Sequence, residues 1–250
     1  MKKLLSIFLI CMALSSCTTS NIYYQMYKTK PITENIVINE NALKFEDDNC
    51  VILYDFWGEN GNIGFIIYNK SGENLYLHLD KCFYVANGFA HDYYQNRIYN
   101  TSTIVTSIAT VEKAIICIPP QCFKKINEFN INDELYKDCD ITLYPNKNEK
   151  NTLNFTPEDS PFVFGNRLAY SIGTSETITQ ITNDFYVSQI SNYPIDKITE
   201  SVTMELCGKK LYGHQERVFI NSGPDIFYIQ YNYDYRYDNK SNNPYYQPYY

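Results

Sequence analysis

Short apolar runs separated by turn residues recur along the chain from about Asn35, and this spacing constrains the fold more than any other feature. Residues 50–57 and 63–68 flank Asn60-Gly61. An Asn-Gly pair between two apolar runs is the strongest short-range signal for a β-hairpin. Both runs carry apolar residues on both faces, which predicts a central hairpin that is covered on both sides. The even spacing of the later runs predicts an all-β protein, folded as an antiparallel β-sandwich.

Helical patterns are weak in this chain. Residues 101–113 are the best candidate, but most of them are β-branched and favour strand. We predict one elaborated sandwich domain over residues 35–230, with the Asn-, Lys- and Glu-rich residues 146–159 as its best internal boundary. Two smaller sandwiches are the alternative, although no internal repeat relates the two halves.

The N-terminal residues combine the three parts of an export signal. Two lysines open the chain, residues 4–14 are apolar, and Ser15 and Ser16 precede Cys17. The apolar part is shorter than the roughly 20 residues that a transmembrane helix needs. The pattern resembles the lipobox of bacterial lipoprotein signal peptides, which implies removal of residues 1–16 and a covalent lipid on Cys17. An ordinary secretory signal with an incidental cysteine is the alternative.

The charge balance restricts the partners of the protein. The full chain carries a net charge of −7, and loss of residues 1–16, which hold two lysines and no acidic residue, changes it to −9. This balance argues against nucleic acid as a partner and against electrostatic docking on anionic lipid. The positions after Cys17 lack the acidic run that resembles the surface-export signal of Bacteroidota lipoproteins. We therefore expect a cell-envelope protein that is lipid-anchored in the outer membrane and faces the periplasm.

The two ends of the predicted mature chain differ from its body. Residues 17–34 have no clear apolar period and predict a tether after the lipidated cysteine; alternatively, their Tyr/Met cluster packs back on the body. Residues 231–250 are dominated by Tyr, Asn and Asp, which predicts a disordered tail. Alternating tyrosines up to Tyr237 could instead extend the last strand, and an aromatic tail that docks on a polymer or partner is the functional alternative.

Six cysteines remain in the predicted mature chain apart from the lipidated one. The periplasm permits disulfides, and an even number is compatible with three bridges. Cys50, Cys82 and Cys117 lie in apolar runs, where a free cysteine behaves as a small buried hydrophobe. Cys139 and Cys207 lie beside polar residues and form the disulfide pair to test first. The spacings support neither a zinc site nor a redox motif, and we expect no metal and no cofactor.

Catalytic chemistry has little support in the sequence, and we predict no catalytic residue. The densest polar-aromatic cluster is His91-Asp92-Tyr93-Tyr94, which is either a ligand loop or a solvated hairpin end. Cys207 and His214, in a segment with two glycines, are the one nucleophile–base candidate, and no local signature supports them.

The body of the chain resembles a large group of Bacteroidota lipoproteins of unknown activity. The resemblance extends over about residues 35–130. It implies an immunoglobulin-like sandwich on a lipid anchor and transfers no functional residue. The motifs that carry it are Asp55-Phe56-Trp57, Ile67-Tyr68-Asn69-Lys70, Leu79-Asp80-Lys81-Cys82-Phe83, Asn87-Gly88 with Tyr93-Tyr94, and Ile118-Pro119-Pro120.

Three functions are compatible with these observations. The first is a non-catalytic envelope module that binds a protein partner or stabilises an assembly, because sandwiches with edge strands associate readily. The second is a glycan-binding module that uses exposed tyrosines and Trp57, although Trp57 ends an apolar run and is more typical of a core. The third is a Cys/His hydrolase.

Overall fold

The structure is a computed structural model that describes residues 22–39, 41–102, 107–132, 136 and 151–232. These residues are almost entirely β-structure, and the strands pair in antiparallel fashion. The predicted all-β class and the antiparallel, sandwich-like architecture are confirmed.

The described residues form the following strands and two single turns of helix. The strands of the first part are β1 (Ile22–Pro31), β2 (Ile36–Ile38), β3 (Leu43–Glu46), β4 (Cys50–Tyr54), β5 (Phe65–Asn69), β6 (Leu75–His78), β7 (Phe83–Ala86), β8 (Phe89–Asp92) and β9 (Ile98–Ser102). The later strands are β10 (Ser107–Val111), β11 (Ile115–Ile118), β12 (Phe123–Ile126), β13 (Asn151–Asn154), β14 (Val163–Ile172), β15 (Thr179–Pro194), β16 (Thr199–Leu206), β17 (Lys209–Phe219) and β18 (Ile226–Asn232). The helical turns are η1 (Leu79–Lys81) and α1 (Ile195–Ile198).

The strands form two main sheets and two ribbons. Sheet 1 has the main order β11-β6-β14-β15-β1-β18, with β13 added to β15, β7 to β14 and β8 to β7. Sheet 2 has the order β12-β5-β4-β3-β2. The pairs β9–β10 and β16–β17 are separate two-stranded ribbons. Sheet 1 contains strands from before and after residues 146–159, so both parts of the chain share one sheet.

The core lies between the two sheets and is strongly aromatic. The fully buried Phe185 on β15 lies 5.3 Å from the ring of Tyr54 on β4 and 4.9 Å from the ring of Phe56, which follows β4. Phe164 on β14 lies 5.5 Å from Phe56. All three contacts are edge-to-face, the arrangement that aromatic quadrupoles favour. This burial of large rings holds the two sheets together.

The hairpin predicted around Asn60-Gly61 is present, but its connection is longer than a two-residue turn. Tyr54 on β4 pairs with Phe65 on β5, so residues 55–64 connect the strands. Asn60 and Gly61 both adopt positive φ, 64° and 66°. A Cβ at Gly61 would lie 2.8 Å from Cγ of Phe227, so this close approach requires glycine.

The prediction that this hairpin is covered on both sides is wrong. β4 and β5 are central in sheet 2, but in both strands buried residues alternate with half-buried ones. Cys50, Ile52 and Tyr54 face the core, whereas Val51 and Leu53 face outward and stay half-buried. An antiparallel sheet packs one face and leaves the other to solvent, and apolar residues on the outer face misled the prediction.

The predicted tether over residues 17–34 is wrong for Ile22–Pro31. These residues form β1, which lies between β15 and β18 in sheet 1. The polar side chains of β1 are buried because distant groups satisfy them: Gln25 Nε2 donates to the Tyr136 carbonyl at 3.1 Å, and Thr29 Oγ1 donates to the Asp225 carbonyl at 2.9 Å. The alternative, in which the Tyr/Met cluster packs on the body, matches the structure.

Candidate functional site

The hairpin of β16 and β17, here called the arm (residues 199–219), is a long and largely exposed part of the described chain. Within the described residues its two strands pair only with each other. Most side chains beyond its base are exposed, and Leu206 and Tyr212 reach 63% and 87% exposure. Cys207 and Gly208 form the turn with φ values of 50° and 77°, which is typical of a tight two-residue hairpin. The arm is therefore a ribbon with two solvent-facing sides.

One side of the arm is apolar. Successive side chains alternate between the faces of a strand, and paired residues of an antiparallel ribbon share a face. The register pairs Glu200 with Val218, Val202 with Glu216 and Leu206 with Lys209. The apolar side chains on this face, here called the apolar face, are Val202, Met204, Leu206 and Val218.

The opposite side of the arm is polar beyond its base, where Phe219 pairs with Thr199. Two hydrogen bonds tie the strands together there: Ser201 Oγ donates to Gln215 Oε1 at 2.7 Å, and Arg217 Nη1 donates to Thr199 Oγ1 at 3.4 Å. The residues on this polar face are Thr199, Ser201, Thr203, Glu205, Lys210, Gln215 and Arg217. An amphipathic pattern of this kind is usual for a sheet that packs its apolar side against something.

Charged residues lie at the two ends of the apolar face. Glu200 and Glu216 lie towards the base of the arm, where they pair with Val218 and Val202. Lys209 pairs with Leu206 beside the turn. From base to tip the apolar face therefore changes from acidic to apolar to basic.

The base of the arm is fixed to the outer face of sheet 1. Thr199 Oγ1 donates to the Ile195 carbonyl at 2.6 Å, and the backbone N–H of Ile220 donates to the Ile198 carbonyl at 2.8 Å. The ring of Phe219 lies 5.0 Å from Trp57 and 5.3 Å from Tyr24, both edge-to-face. Trp57 is thus a half-buried packing residue at the base of the arm.

The described chain begins close to this base. Tyr23 pairs with Pro194, the residue directly before α1, and α1 leads into β16. Further along β1, Tyr24 and Met26 pack with Ile198 of α1 in a small apolar cluster under the base. β1 therefore begins beside the start of the arm.

A cavity of about 190 Å³ lies next to the base of the arm. Its volume is below the roughly 300 Å³ at which ligand pockets usually begin. Lys28 Nζ lies 3.9 Å from Asp225 Oδ2, Gln189 Nε2 donates to Asn154 Oδ1 at 2.9 Å, and Ser191 Oγ lies 3.0 Å from Thr152 Oγ1. The lining residues are Met26, Lys28, Gln189, Ser191, Tyr193, Ile198, Asn221 and Ile226. Its size and its paired polar groups make it a weaker candidate than the arm.

The structure separates the residues of the predicted ligand loop. His91 and Asp92 end β8 and are exposed. Tyr93 is 1% exposed in the core, where its hydroxyl donates to Asn166 Oδ1 at 2.8 Å and burial raises its pKa well above the ordinary value. The Tyr94 hydroxyl donates to Asn96 Oδ1 at 3.0 Å. The four side chains thus divide between solvent and core.

Cys207 and His214 both lie on the arm but at different levels. Cys207 lies in the turn, whereas His214 precedes Gln215, the partner of Thr203. The register of the ribbon shifts between Thr203 and Glu205, and His214 lies in that irregular stretch of β17, away from the turn. A nucleophile and its base need hydrogen-bond contact, and the arm does not bring these two together.

Several predicted features lie outside the described residues. Residues 1–21, with Cys17, and residues 233–250 of the tail are among them. Cys139 also lies outside, so its disulfide with the exposed Cys207 stays a prediction.

Two common features are absent from the described ranges. None of their helices has the length and hydropathy of a membrane span. No group of three or more His, Cys, Asp or Glu side chains in these ranges is arranged to hold a metal ion.

Comparison with known proteins gave no relative for this chain: no family model, no curated protein and no solved structure matches it. The functional argument therefore depends on the geometry and chemistry of the arm.

Sequence analysis missed the arm as a unit. The two glycines between Cys207 and His214 favour a loop there, whereas Lys209–Phe219 is a strand. The available signal was the alternation of Val202, Met204 and Leu206 followed by Cys207-Gly208, since a residue–glycine turn after an alternating strand predicts a hairpin.

Proposed function

We propose that the protein is a non-catalytic binding module of the bacterial cell envelope, held at the outer membrane by a lipid on Cys17 and facing the periplasm, that contacts a protein partner through the apolar face of its arm. The single observation that carries this proposal is the apolar face itself. Val202, Met204 and Leu206 alternate along β16 as in a half-buried strand, yet Met204 and Leu206 are 37% and 63% exposed. Contiguous exposed apolar surface of this kind marks interaction sites.

The base of the arm makes it suitable for such a contact. Phe219 packs against Trp57 and Tyr24, and these contacts fix the base of the ribbon on the body of the protein. A surface that is ordered before binding loses less conformational entropy on association. The arm therefore presents its apolar face in one orientation relative to the body.

The predicted lipid attachment is close to the base of the arm. Ile22 comes five positions after Cys17, a reach of at most about 17 Å for an extended chain. Ile22 begins β1 beside Pro194 and the start of the arm. A lipid on Cys17 would therefore keep the arm near the membrane, where it meets other envelope proteins.

Glycan binding, the alternative, has less support. Stacking on sugars needs exposed aromatic rings that lie in a row. Among the tyrosines whose side chains the structure describes, Tyr212 alone is exposed, and Trp57 is half-buried at the base of the arm. Protein contact through the arm is the better-supported function.

Photo-crosslinking tests the contact. The full chain, with benzoylphenylalanine in place of Leu206, is produced in its lipidated form in cells and irradiated. We expect a discrete adduct of higher mass. The matched control carries benzoylphenylalanine in place of Thr203, which lies on the polar face of the same strand. Equal adducts at both positions, or none at either, would contradict the proposal.

Labelled palmitate tests the anchor. We expect the full chain to incorporate the label and to accumulate in its precursor form when signal-peptide cleavage of lipoproteins is inhibited with globomycin. A Cys17→Ala chain should take up no label. Incorporation into that variant would exclude the anchor on Cys17.

A further inference from the structure

We infer that the partner of the arm is a second copy of this chain, and that the two arms pack apolar face to apolar face in antiparallel orientation about a twofold axis. This inference rests on the proposed function, because it names the protein that the arm binds. It is carried by the order of side chains along the apolar face.

A twofold interface uses the same patch on both subunits, so the patch must be complementary to itself. The apolar face meets this requirement. Glu200 and Glu216 lie in its base half and Lys209 at its tip, with Val202 and Met204 between the two ends. Reversing such a stripe places its basic end over its acidic end. A patch of a single charge sign would repel its own copy.

The register gives the position of the axis. Glu200 and Val218 share one level of the ribbon, and Leu206 and Lys209 share another, six residues further along β16. The midpoint is the level of Thr203, about 10 Å from each end. An axis at this level, across the ribbon, brings each end of one arm against the opposite end of the other.

The contacts at each end bring opposite charges near each other. An axis across the ribbon places β16 over β16 and β17 over β17, so Glu200 of one copy lies opposite Leu206 of the second copy, and Val218 lies opposite Lys209. Glu200 and Lys209 are therefore diagonal neighbours at each end of the contact. At the centre, Val202 and Met204 flank the axis, and Val202 of one copy lies opposite Met204 of the second copy. The polar face, with Thr203, points away from the contact on both copies.

The size of the arm indicates where this dimer forms. The ribbon is eight residues long on β16 and covers about 26 Å by 10 Å, which is well below the roughly 800 Å² per partner of a standard interface. Such a contact is weak between freely diffusing chains. Confinement of both copies to one membrane raises their effective concentration and compensates for the small area. The dimer therefore depends on the anchor, and the test uses the lipidated chain in its own membrane.

Cysteine crosslinking at the axis is the direct test. Met204 lies one level from the twofold axis, so the two Met204 positions are only about 7 Å apart along the ribbons, and a Met204→Cys chain treated with a short bismaleimide should give a covalent dimer. Thr203→Cys, one position away on the polar face, is the matched control. The wild type measures the background from its exposed thiols, Cys117, Cys122 and Cys207. A dimer yield at Met204→Cys no higher than at Thr203→Cys would overturn the inference.

Charge reversal gives a second, independent readout on the Met204→Cys background. Glu200→Lys or Lys209→Glu alone places like charges together, and we expect the dimer yield to fall by about fivefold or more. The two reversals combined restore opposite charges and should restore the yield. Failure of the double variant to recover, with each single variant reduced, would overturn the antiparallel arrangement.

The crosslinks also separate the two proposals. An adduct at Leu206 with the mass of two copies, together with a Met204→Cys dimer, supports both. An adduct with a different protein and no Met204→Cys dimer overturns the second-copy inference and leaves the proposed function standing. Absence of both overturns the function as well.

Discussion

The hydroxyl of Tyr170 on β14 donates to Asp47 Oδ2 at 2.8 Å and links sheet 1 to the β3–β4 turn of sheet 2. The other oxygen of the same carboxylate, Oδ1, accepts the backbone N–H groups of Asn49 at 2.8 Å and Cys50 at 2.7 Å. One carboxylate thus fixes the turn and joins the two sheets.

Removal of this link should destabilise the whole fold. We expect Tyr170→Phe to lower the free energy of unfolding by about 1–2 kcal/mol, because the hydroxyl is buried and its acceptor is charged. Urea unfolding followed by circular dichroism measures the change. Tyr68→Phe is the control, because its hydroxyl donates to Gln121 at the surface and its loss should cost less than about 0.5 kcal/mol. Equal effects of the two variants would contradict the cross-sheet role.

Phe185 is the residue at which truncation should cost most. It is fully buried and contacts the rings of Tyr54 and Phe56 across the core. We expect Phe185→Ala to lower the free energy of unfolding by about 3–5 kcal/mol, and Phe185→Leu to lower it less. Phe89→Ala, at a position 73% exposed, is the control and should have almost no effect. A small loss at Phe185→Ala would argue against a core between the sheets at this position.

The short strands and the Asn-Gly turn were predictable because residues that are close in sequence determine both the strand pattern and the backbone conformation of the turn. Leu75 and Leu77 alternate with polar residues, and β6 shows the expected half-buried pattern. β1 was missed for a long-range reason. Gln25 and Thr29 are polar, and only their hydrogen bonds to Tyr136 and Asp225, more than 100 positions away, make their burial favourable.

The arm escaped prediction for a different reason. Its alternation of Val202 and Met204 with polar residues is visible in the sequence and correctly indicates a strand. The same alternation also predicts a buried face, and the structure leaves that face exposed. A single sequence cannot tell whether an apolar face is covered by its own chain or by another, because the pattern is identical in both cases.

Trp57 should report on the base of the arm. It is the only tryptophan of the chain and lies 5.0 Å from Phe219 and 5.5 Å from Tyr228. We expect Phe219→Ala to expose the indole and shift its fluorescence to longer wavelength, whereas Leu206→Ala at the tip should leave the spectrum unchanged. The spectra are recorded without denaturant, and circular dichroism verifies that the sheets persist. An unchanged spectrum in Phe219→Ala would contradict the packing of the base.

Thiol accessibility should divide the cysteines into two groups. Cys50 and Cys82 are fully buried, and burial raises the pKa of the Cys82 thiol to about 11, so the reactive thiolate is scarce. Cys117, Cys122 and Cys207 are exposed. In the folded, reduced protein we expect the exposed cysteines to be alkylated rapidly. The buried pair should be alkylated only after unfolding. Mass spectrometry of the alkylated peptides identifies which cysteines have reacted. Omission of the reductant tests the predicted pairing of Cys207, since a disulfide would protect it from alkylation. Rapid modification of Cys50 or Cys82 in the folded protein would contradict their burial.

Glu46 should titrate at unusually low pH. Its carboxylate lies 2.5 Å from Lys44 Nζ and 2.7 Å from Lys70 Nζ, and hydrogen bonds from these two lysines lower its pKa to about 2, with the Lys44 bond contributing most. A pKa lower in the folded than in the unfolded chain stabilises the fold at higher pH. The contribution is therefore complete above the ordinary carboxyl pKa of about 4.5 and is lost as the pH falls towards about 2.

Carbon-13 NMR titration of the side-chain carboxyl measures this shift. Lys44→Gln should raise the pKa of Glu46 towards about 4.5, and high salt should raise it in the wild type, because the ion pair is exposed and solvent ions screen it. Lys124→Gln on β12, three strands away in sheet 2, is the matched control and should leave the titration unchanged. A wild-type Glu46 that titrates near the ordinary value, or that is insensitive to Lys44→Gln, would contradict the pairing. Because the group is exposed, the accompanying change in acid stability should be small and should disappear at high salt.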